Sequence, residues 1–244
     1  MKYRISRLLC KRLKYHRAGL PTAWILACSA SFFTPVYAYA ELSDISRIFR
    51  QTPTLSQFEI CQGGGCVVAS KISLTEIEWN AVTRIFNVPA NNAEEKNAQE
   101  NNEVVERQKI AQAIGALEDI VGQKIGTTAD LAGTFFEGKL AGQQDCNDEA
   151  INSTTYMRLL KKHGLIQLHE IEDMRTRNFF FTGWPHTTAV IRETKNGERY
   201  AVDSWFYDNG HAATIVTFKQ WKSNFQPEDS PINRPKSAQS KYRY

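Results

Sequence analysis

The chain has 244 residues, with 30 Lys and Arg against 26 Asp and Glu, which is a formal net charge of +4. Seven of those cations and no acidic residue lie in residues 1–40, so residues 41–244 have 23 Lys and Arg against 26 Asp and Glu, a net charge of −3. The basic character of the chain therefore belongs to residues 1–40. Because residues 41–244 are slightly acidic, their charge gives no support for nucleic-acid binding. Residues 41–244 are enough for one domain with its own core.

Residues 1–40 have the pattern of an export signal. A basic segment precedes an uncharged stretch, residues 18–40, which ends in Ala38-Tyr39-Ala40. This order is typical of a cleaved secretory signal peptide. The alternative is an uncleaved anchor, because an uncharged stretch of this length can span a bilayer. We therefore expect a periplasmic or secreted protein, or one held in the inner membrane by residues 18–40.

Three of the five cysteines follow this signal, at positions 61, 66 and 146. Cys61 and Cys66 bracket the flexible segment Gln62-Gly63-Gly64-Gly65, so they can pair as a local disulfide in an oxidising compartment. Cys146 is then unpaired, which makes it a candidate reactive thiol. The alternatives are a metal site at Cys61 and Cys66, for which no second pair of ligands lies nearby, and an inert buried Cys146.

Apolar residues at helical spacing predict a helical N-terminal region over residues 41–140. Its predicted elements are a helix over 42–50, a helix from the capping box Ser73-Leu74-Thr75-Glu76 to Pro89, a helix over 103–121 capped by Gly122, and a short helix from Thr127 to Leu131.

Residues 141–225 are predicted to form a second region, in which one helix precedes an antiparallel sheet. The helix spans 146–162, with Asp145 as its N-cap. The predicted strands span 165–171, 184–193, 199–206 and 212–218, and residues 226–244 are predicted to be a disordered tail. Helices followed by an antiparallel sheet indicate an α+β fold.

Asn196-Gly197 is a strong hairpin signal between the second and third predicted strands. A turn centred there pairs Glu193 with Tyr200 and places Asp203 opposite residue 190. His186 would then be too far from Asp203 for direct contact, unless a bulge or a late start of the strand shifts the register.

Cys146, His186 and Asp203 nevertheless have the order of a Cys-His-Asp acyl-transfer site. Cys146 lies in the first turn of its helix, where exposed N–H groups favour a thiolate. Asp203 lies in an apolar strand, where a buried carboxylate requires a partner. His186 is our candidate base, in preference to the three other histidines of residues 41–244: His163, His169 and His211.

Residues around Cys146 and Trp205 are candidates for oxyanion binding and for the substrate pocket. The backbone N–H of Cys146 is one expected oxyanion donor, and Gln143 or Gln144 would supply a second. Trp184 and Trp205 would line an acyl pocket, although buried aromatic residues are more often plain core.

Residues 143–221 resemble the transglutaminase-like cysteine peptidase superfamily, in papain-like fold space, and within it the periplasmic bacterial transglutaminase-like cysteine proteinases. The resemblance rests on Asp145-Cys146-x-Asp148-x-Ala150, on His186 at the start of a strand, and on Val202-Asp203-Ser204-Trp205. It implies that Cys146 is the nucleophile, that His186 is the general base and acid, and that Asp203 orients the imidazole. It also implies a strand pairing that brings His186 and Asp203 together.

Some members of that group bind calcium through acidic residues that flank the cysteine. Asp145 is present here, but Asn147 stands where a carboxylate would be needed. We therefore expect no cofactor, with calcium as a doubtful alternative.

The sequence as a whole predicts an exported cysteine hydrolase that cleaves an amide or peptide bond in a protein or peptide substrate. Transglutaminase-type acyl transfer to an amine is an alternative, as is a non-catalytic binding module on the same fold. A metal-dependent site made of Cys146, His186 and His211 is a further alternative, which would require stoichiometric zinc.

Overall fold

The computed structural model describes residues 48–49, 51–87, 102–135, 141–177 and 185–233, all within the unit that spans Ala38–Tyr244. The elements in chain order are β1 (Phe58–Gln62), β2 (Val68–Ile72), α1 (Glu76–Asn87), α2 (Asn102–Ile125), α3 (Cys146–Lys162), β3 (His169–Arg177), β4 (His186–Glu193), β5 (Arg199–Asp203), β6 (Thr214–Thr217), α4 (Phe218–Lys222) and a 3-10 turn (Pro231–Asn233). Helices combined with antiparallel sheets confirm the predicted α+β class. The predicted signal, residues 1–40, lies outside the described residues.

The main sheet has four antiparallel strands in the order β3-β4-β5-β6, and α3 packs on it, chiefly against β4. β4 contains no exposed residue, because it is an inner strand that a helix covers. The apolar core joins α2, α3 and the sheet through fully buried side chains, among them Ile110, Ile114, Leu117, Met157, Leu160 and Ile191.

The hairpin between β4 and β5 differs from the predicted one by two residues. Arg192 pairs with Arg199, and the N–H of Glu193 donates to the carbonyl of Glu198, so four residues, 194–197, form the loop. Asp203 therefore comes opposite Thr188, and His186 is its diagonal neighbour on the same face of the sheet. The predicted register was wrong because Asn196-Gly197 lies within a four-residue loop rather than forming a two-residue turn.

The N-terminal region is not wholly helical, as was predicted for residues 41–140. β1 and β2 form a separate antiparallel hairpin, which the sequence did not predict, around the turn that Cys61 and Cys66 enclose. No helix forms over 127–131, and the predicted helix over 42–50 lies mostly outside the described residues.

Two predicted helix boundaries were also wrong. α1 begins at Glu76, and its capping box joins Thr75 to Glu78 rather than Ser73 to Glu76. Gly122 does not cap α2, which continues to Ile125. An added Cβ at Gly122 would lie 3.1 Å from the Asn209 side chain, so this glycine permits close packing instead.

The C-terminal segment folds further than the sequence predicted. Ser230 is buried, and its hydroxyl donates to the carbonyl of Phe206 at 2.5 Å. The Tyr207 hydroxyl donates to Asp229, also at 2.5 Å. Residues 226–233 are thus attached to the loop after β5, and the rest of the predicted tail, 234–244, lies outside the described residues. Among the described residues, no helix has the length and apolar character needed to cross a membrane.

Candidate active site

The start of α3 is held by a reciprocal capping box. Asp145 Oδ1 accepts the N–H groups of Asn147 and Asp148 at 3.0 and 2.9 Å, and the Asp148 carboxylate accepts the N–H of Asp145 at 3.3 Å. Cys146 is the first residue of the helix, as predicted, and it is the free cysteine of the described part of the chain. Capping therefore fixes the backbone on both sides of the thiol.

The β4–β5 register brings His186 against Asp203. The His186 Nε2 atom lies 2.6 Å from Asp203 Oδ2, and both residues are only 2% exposed. The indole N–H of Trp221 donates to the same oxygen at 2.7 Å. Two N–H donors thus fix the orientation of this carboxylate and stabilise its charge.

The other nitrogen of His186 has no hydrogen-bond partner among the described residues. Nδ1 is buried, as is the unpaired Oδ1 of Asp203. With Nε2–H donating to the carboxylate, Nδ1 carries the lone pair of the neutral ring. It is therefore the atom of His186 that can accept a proton.

Cys146 and His186 approach each other through shared neighbours. The backbone N–H of Thr187, the residue after His186, lowers the pKa of the Cys146 thiol, which places the two segments close together. Cys146 packs in one cluster with Trp205 and Phe206, whose rings lie 4.5 and 5.6 Å from the His186 ring, centroid to centroid. The His186–Asp203 pair and Cys146 therefore share aromatic neighbours, and their catalytic roles stay a prediction.

The thiol is held in its neutral form in this structure. Burial raises the pKa of Cys146 to about 12; the N–H of Thr187 lowers this pKa, and the charges of Asp145 and Asp203 raise it. These effects outweigh the helix N-terminus, which was expected to favour a thiolate. The raised pKa describes loss of the proton to water, which leaves a net charge in a buried site. Transfer to His186 within the site leaves the net charge unchanged, so it avoids that cost.

Arg177 and Trp221 are two residues of this site that sequence reasoning missed. Arg177 pairs with His186 across the sheet, its guanidinium lies 5.0 Å from the Trp221 ring, and it donates to the Trp221 carbonyl at 2.8 Å. Burial lowers the pKa of Arg177, while the charges of Asp203 and Cys146 raise it. Its cation therefore favours negative charge on both. Arg177 ends a strand of mostly polar, partly exposed residues and Trp221 lies in a five-residue helix, so neither had a local signal of function.

The two predicted oxyanion residues are engaged elsewhere to different extents. The Gln143 amide donates to the carbonyls of Ala129 and Gly142, and its oxygen accepts from Leu131 and Thr134, so it organises the loop before α3. The Gln144 amide donates to the Cys61 carbonyl at 2.9 Å. A primary amide has two N–H groups, and the described residues provide one acceptor for those of Gln144, the Cys61 carbonyl. Trp184, the predicted pocket residue, lies outside the described residues.

A group of buried carboxyls lies beneath the site. The Ser204 hydroxyl donates to Glu149 at 3.2 Å. Burial raises the pKa of Glu118 to about 7 and that of Asp130 to about 8, and it raises the pKa of Glu149 well above its usual value. Burial and the neighbouring negative charges thus favour the protonated, neutral form of these carboxyls.

The remaining histidines have structural surroundings. His163 caps the C-terminus of α3, and its ring lies 4.9 Å from that of Trp79. His211 is exposed and stacks on Tyr207 at 3.8 Å, centroid to centroid. Within the described ranges, His211 does not join Cys146 and His186 in a metal-binding group. His169 is buried between Glu106 and Arg107, which contact its two ring nitrogens.

The residues that flank Cys146 do not fit a calcium ion. Oxygens of Asp145 and Asp148 accept backbone N–H groups, including those of Gly64, Gly65 and Cys66 at 2.6–3.0 Å. A cation at these oxygens would have to displace those donors. No group of three or more His, Cys, Asp or Glu side chains in the described part of the chain is arranged to hold a metal.

Comparisons with known proteins found no matching family model, no matching curated protein and no matching solved structure.

Proposed function

We propose that this protein is an exported cysteine hydrolase of the transglutaminase-like type, with a papain-like arrangement of the nucleophile helix on the sheet. Cys146 is its nucleophile, His186 its base and acid, and Asp203 the residue that orients the imidazole. The observation that carries the proposal is the hydrogen bonding of His186, because Nε2 is occupied by Asp203 and the buried Nδ1 has no partner among the described residues. The buried thiol of Cys146 packs against Trp205 and Phe206, the same two rings that flank the His186 ring.

The reaction follows from these positions. Nδ1 of His186 takes the thiol proton as the Cys146 sulfur attacks the substrate carbonyl carbon, and the backbone N–H of Cys146 and the Gln144 amide stabilise the oxyanion. The amine leaves with the proton from the imidazolium, and a thioester remains. Water then adds to the thioester and gives its proton to Nδ1. The acid departs as the sulfur regains that proton.

The test is the rate at which iodoacetamide alkylates Cys146 as a function of pH, with the Cys61–Cys66 disulfide oxidised. The modification is quantified by mass spectrometry on the peptide that contains Cys146. We expect a reactive plateau well below the free-thiol pKa of about 8.5, lost in His186→Ala and kept in His211→Ala. His211 is a suitable control because it is exposed and lies outside the site. Full substrate hydrolysis by Cys146→Ala would contradict the mechanism.

A non-catalytic binding module is the second candidate, and the burial of Cys146 favours it. The residue is only 6% exposed, and burial raises the thiol pKa to about 12. This candidate predicts alkylation with the pH dependence of an unactivated thiol, identical in the wild type and His186→Ala.

Hydrolysis and acyl transfer to an amine are distinguished by adding a primary amine to the reaction. In an acyltransferase the amine competes with water for the thioester, whereas in a hydrolase it does not.

A further inference from the structure

The loop between β1 and β2 is bound to the start of α3 on both sides of Cys146. The N–H groups of Gly64 and Cys66 donate to Asp148 Oδ2 and Oδ1 at 2.7 and 2.6 Å. The N–H of Gly65 donates to Asp145 Oδ2 at 3.0 Å. Three consecutive N–H groups thus point at two carboxylates, which is the geometry of a backbone anion-binding nest.

The disulfide closes this loop in a conformation that most residues avoid. Residues 63–66 all have positive φ, between 60° and 87°, including the non-glycine Cys66 at 62°. Gly64 and Gly65 adopt such angles freely but also leave them freely, so an open loop would lose the arrangement. The Cys61–Cys66 bond restricts that freedom.

The other end of the loop is attached further along the same helix. The N–H of Cys61 donates to Asn152 Oδ1 at 2.7 Å, and the carbonyl of Cys61 accepts from the amides of Asn152 and Gln144, each at 2.9 Å. The N–H of Gly63 donates to the carbonyl of Gln143 at 3.1 Å. The loop therefore spans the first two turns of α3 and the two residues that precede its N-cap.

We propose that the disulfide-closed loop Cys61–Cys66 is a positioning element for Cys146, and that the thiol is fully reactive only while this disulfide is intact. The loop touches no reacting atom; it acts through Asp145 and Asp148. This inference rests on the proposed function of Cys146. Its consequence is that the nucleophile would be impaired in a reducing compartment and become fully reactive after the chain reaches an oxidising one.

The loop acts on the thiol by two routes. Its N–H groups hold the first turn of α3, and with it the N–H of Cys146, in place. The N–H of Gly65 also offsets the charge of Asp145, which disfavours the thiolate. Without this donor, the Asp145 charge acts on Cys146 less compensated. The thiolate must then form at higher pH.

The first test is the alkylation profile of Cys146 in the double variant Cys61→Ser/Cys66→Ser. Besides Asp145 and Asp148, the charged groups near the thiol are Asp203, Arg177 and the imidazole of His186, and this variant substitutes none of them. We expect the apparent pKa to rise by about half to one unit, which slows alkylation at pH 7 about three- to tenfold, while the plateau rate at high pH stays the same. A profile that superimposes on the wild type would overturn the proposal.

The second test is reduction of the wild-type protein, with the double variant as its control. Dithiothreitol breaks the Cys61–Cys66 bond, each sulfur gains a proton, and the reagent closes to its cyclic disulfide. Cys146 reactivity at pH 7 should fall in proportion to the reduced fraction, whereas the double variant should not respond. Unchanged reactivity after complete reduction would overturn the proposal. Global unfolding on reduction, detected by circular dichroism, would also overturn it, because the disulfide would then stabilise the whole fold and not the position of Cys146 alone.

The two proposals fail in different ways. If His186→Ala loses the low-pH reactivity and the double variant keeps it, the loop has no positioning role and the proposed function stands. If His186→Ala keeps it, the proposed function is wrong, whatever the double variant does, and the positioning role is lost with it.

Discussion

The two ends of the β3–β4 ladder each bury a histidine beside a carboxylate, but they complete its hydrogen bonding differently. At one end His169, opposite Glu193, has Nδ1 2.9 Å from Glu106 Oε1 and Nε2 3.0 Å from Arg107 Nη1. At the other end His186, opposite Arg177, has Nε2 on Asp203 and no partner for Nδ1 among the described residues.

The difference decides what each ring can do. A guanidinium only donates, so Nε2 of His169 must accept, and its Nδ1–H donates to Glu106. Both nitrogens are occupied and the ring is held neutral. Burial raises the pKa of Glu106, but hydrogen bonds from His169 and from the N–H groups of Gln167 and Leu168 outweigh burial and leave that pKa below its usual value. A histidine beside a carboxylate is therefore a base only where one nitrogen is free.

The sharpest test of this comparison replaces each histidine in turn. His186→Gln should slow acylation of Cys146 by p-nitrophenyl acetate about 10²- to 10⁴-fold, because the proton acceptor is lost. His169→Gln should leave the rate per folded molecule within about twofold. The burst of p-nitrophenolate measures both, and Cys146→Ala gives the background. Equal losses in the two variants would show that the free nitrogen of His186 has no special role.

For the free energy of unfolding, we expect the larger effect at the His169 end of the ladder. Glu106→Ala leaves His169 and two backbone N–H groups without their buried acceptor, so it should lower the free energy of unfolding by about 3–5 kcal/mol. Glu170→Ala is the control, because its ion pair with Lys161 is half-exposed and should contribute at most about 1 kcal/mol. Urea unfolding measures both changes. A shift in Glu106→Ala no larger than that of the control would contradict the structural role of the His169 end.

Trp221→Phe tests how the carboxylate at the His186 end is held. The substitution removes the N–H that donates to Asp203 Oδ2 but keeps an aromatic ring beside Phe218. A hydrogen bond to a charged group contributes about 1.5–3 kcal/mol. We expect about half of this free energy to be lost from the stabilisation of the acylation transition state, which slows acylation roughly tenfold. Tyr200→Phe is the matched change at the other end, where the hydroxyl lies 3.4 Å from Glu193, and it should leave the rate unchanged.

The smallest expected effect is on the pH dependence of stability. The pKa values of Glu118 and Asp130 are raised to about 7 and 8, so the folded protein binds more protons than the unfolded chain, whose carboxyls titrate near pH 4. Their contribution is fully present below about pH 4 and is lost as the pH rises through 7–8. Urea midpoints should therefore fall between pH 5 and 9, by the equivalent of about 1 kcal/mol or more.

The double variant Glu118→Gln/Asp130→Asn should flatten this dependence, because the neutral amides cannot ionise. A wild-type midpoint that rises over the same interval would show that these carboxyls are ionised in the folded protein.

Local signals were sufficient for much of the fold and the site. The bounds of α3, its Asp145 cap, the Cys61–Cys66 disulfide and the α+β class follow from residues close together in the sequence, and the structure confirms them. The residues Cys146, His186 and Asp203 were identified from their order and their neighbours. Their hydrolytic role stays a prediction.

Relations between distant segments were not predictable in the same way. The β4–β5 register depends on whether the loop has two or four residues, and Asn196-Gly197 is compatible with both. Trp221 meets Asp203 only because α4 folds back on β5. The glycines between β1 and β2 indicated a turn, but the strands on either side of it were missed. Nothing local indicated that the turn would bind Asp145 and Asp148.

The contacts between the β1–β2 loop and α3 also define a pattern for finding relatives of this protein. Cys-x-Gly-Gly-Gly-Cys and Asp-Cys-x-Asp, about 80 residues apart, are bound to each other as donor and acceptor, so a change in one should be matched in the other. A genome search that requires both segments would be far more selective than either alone. It would extend to chains whose overall similarity is too low for ordinary comparison.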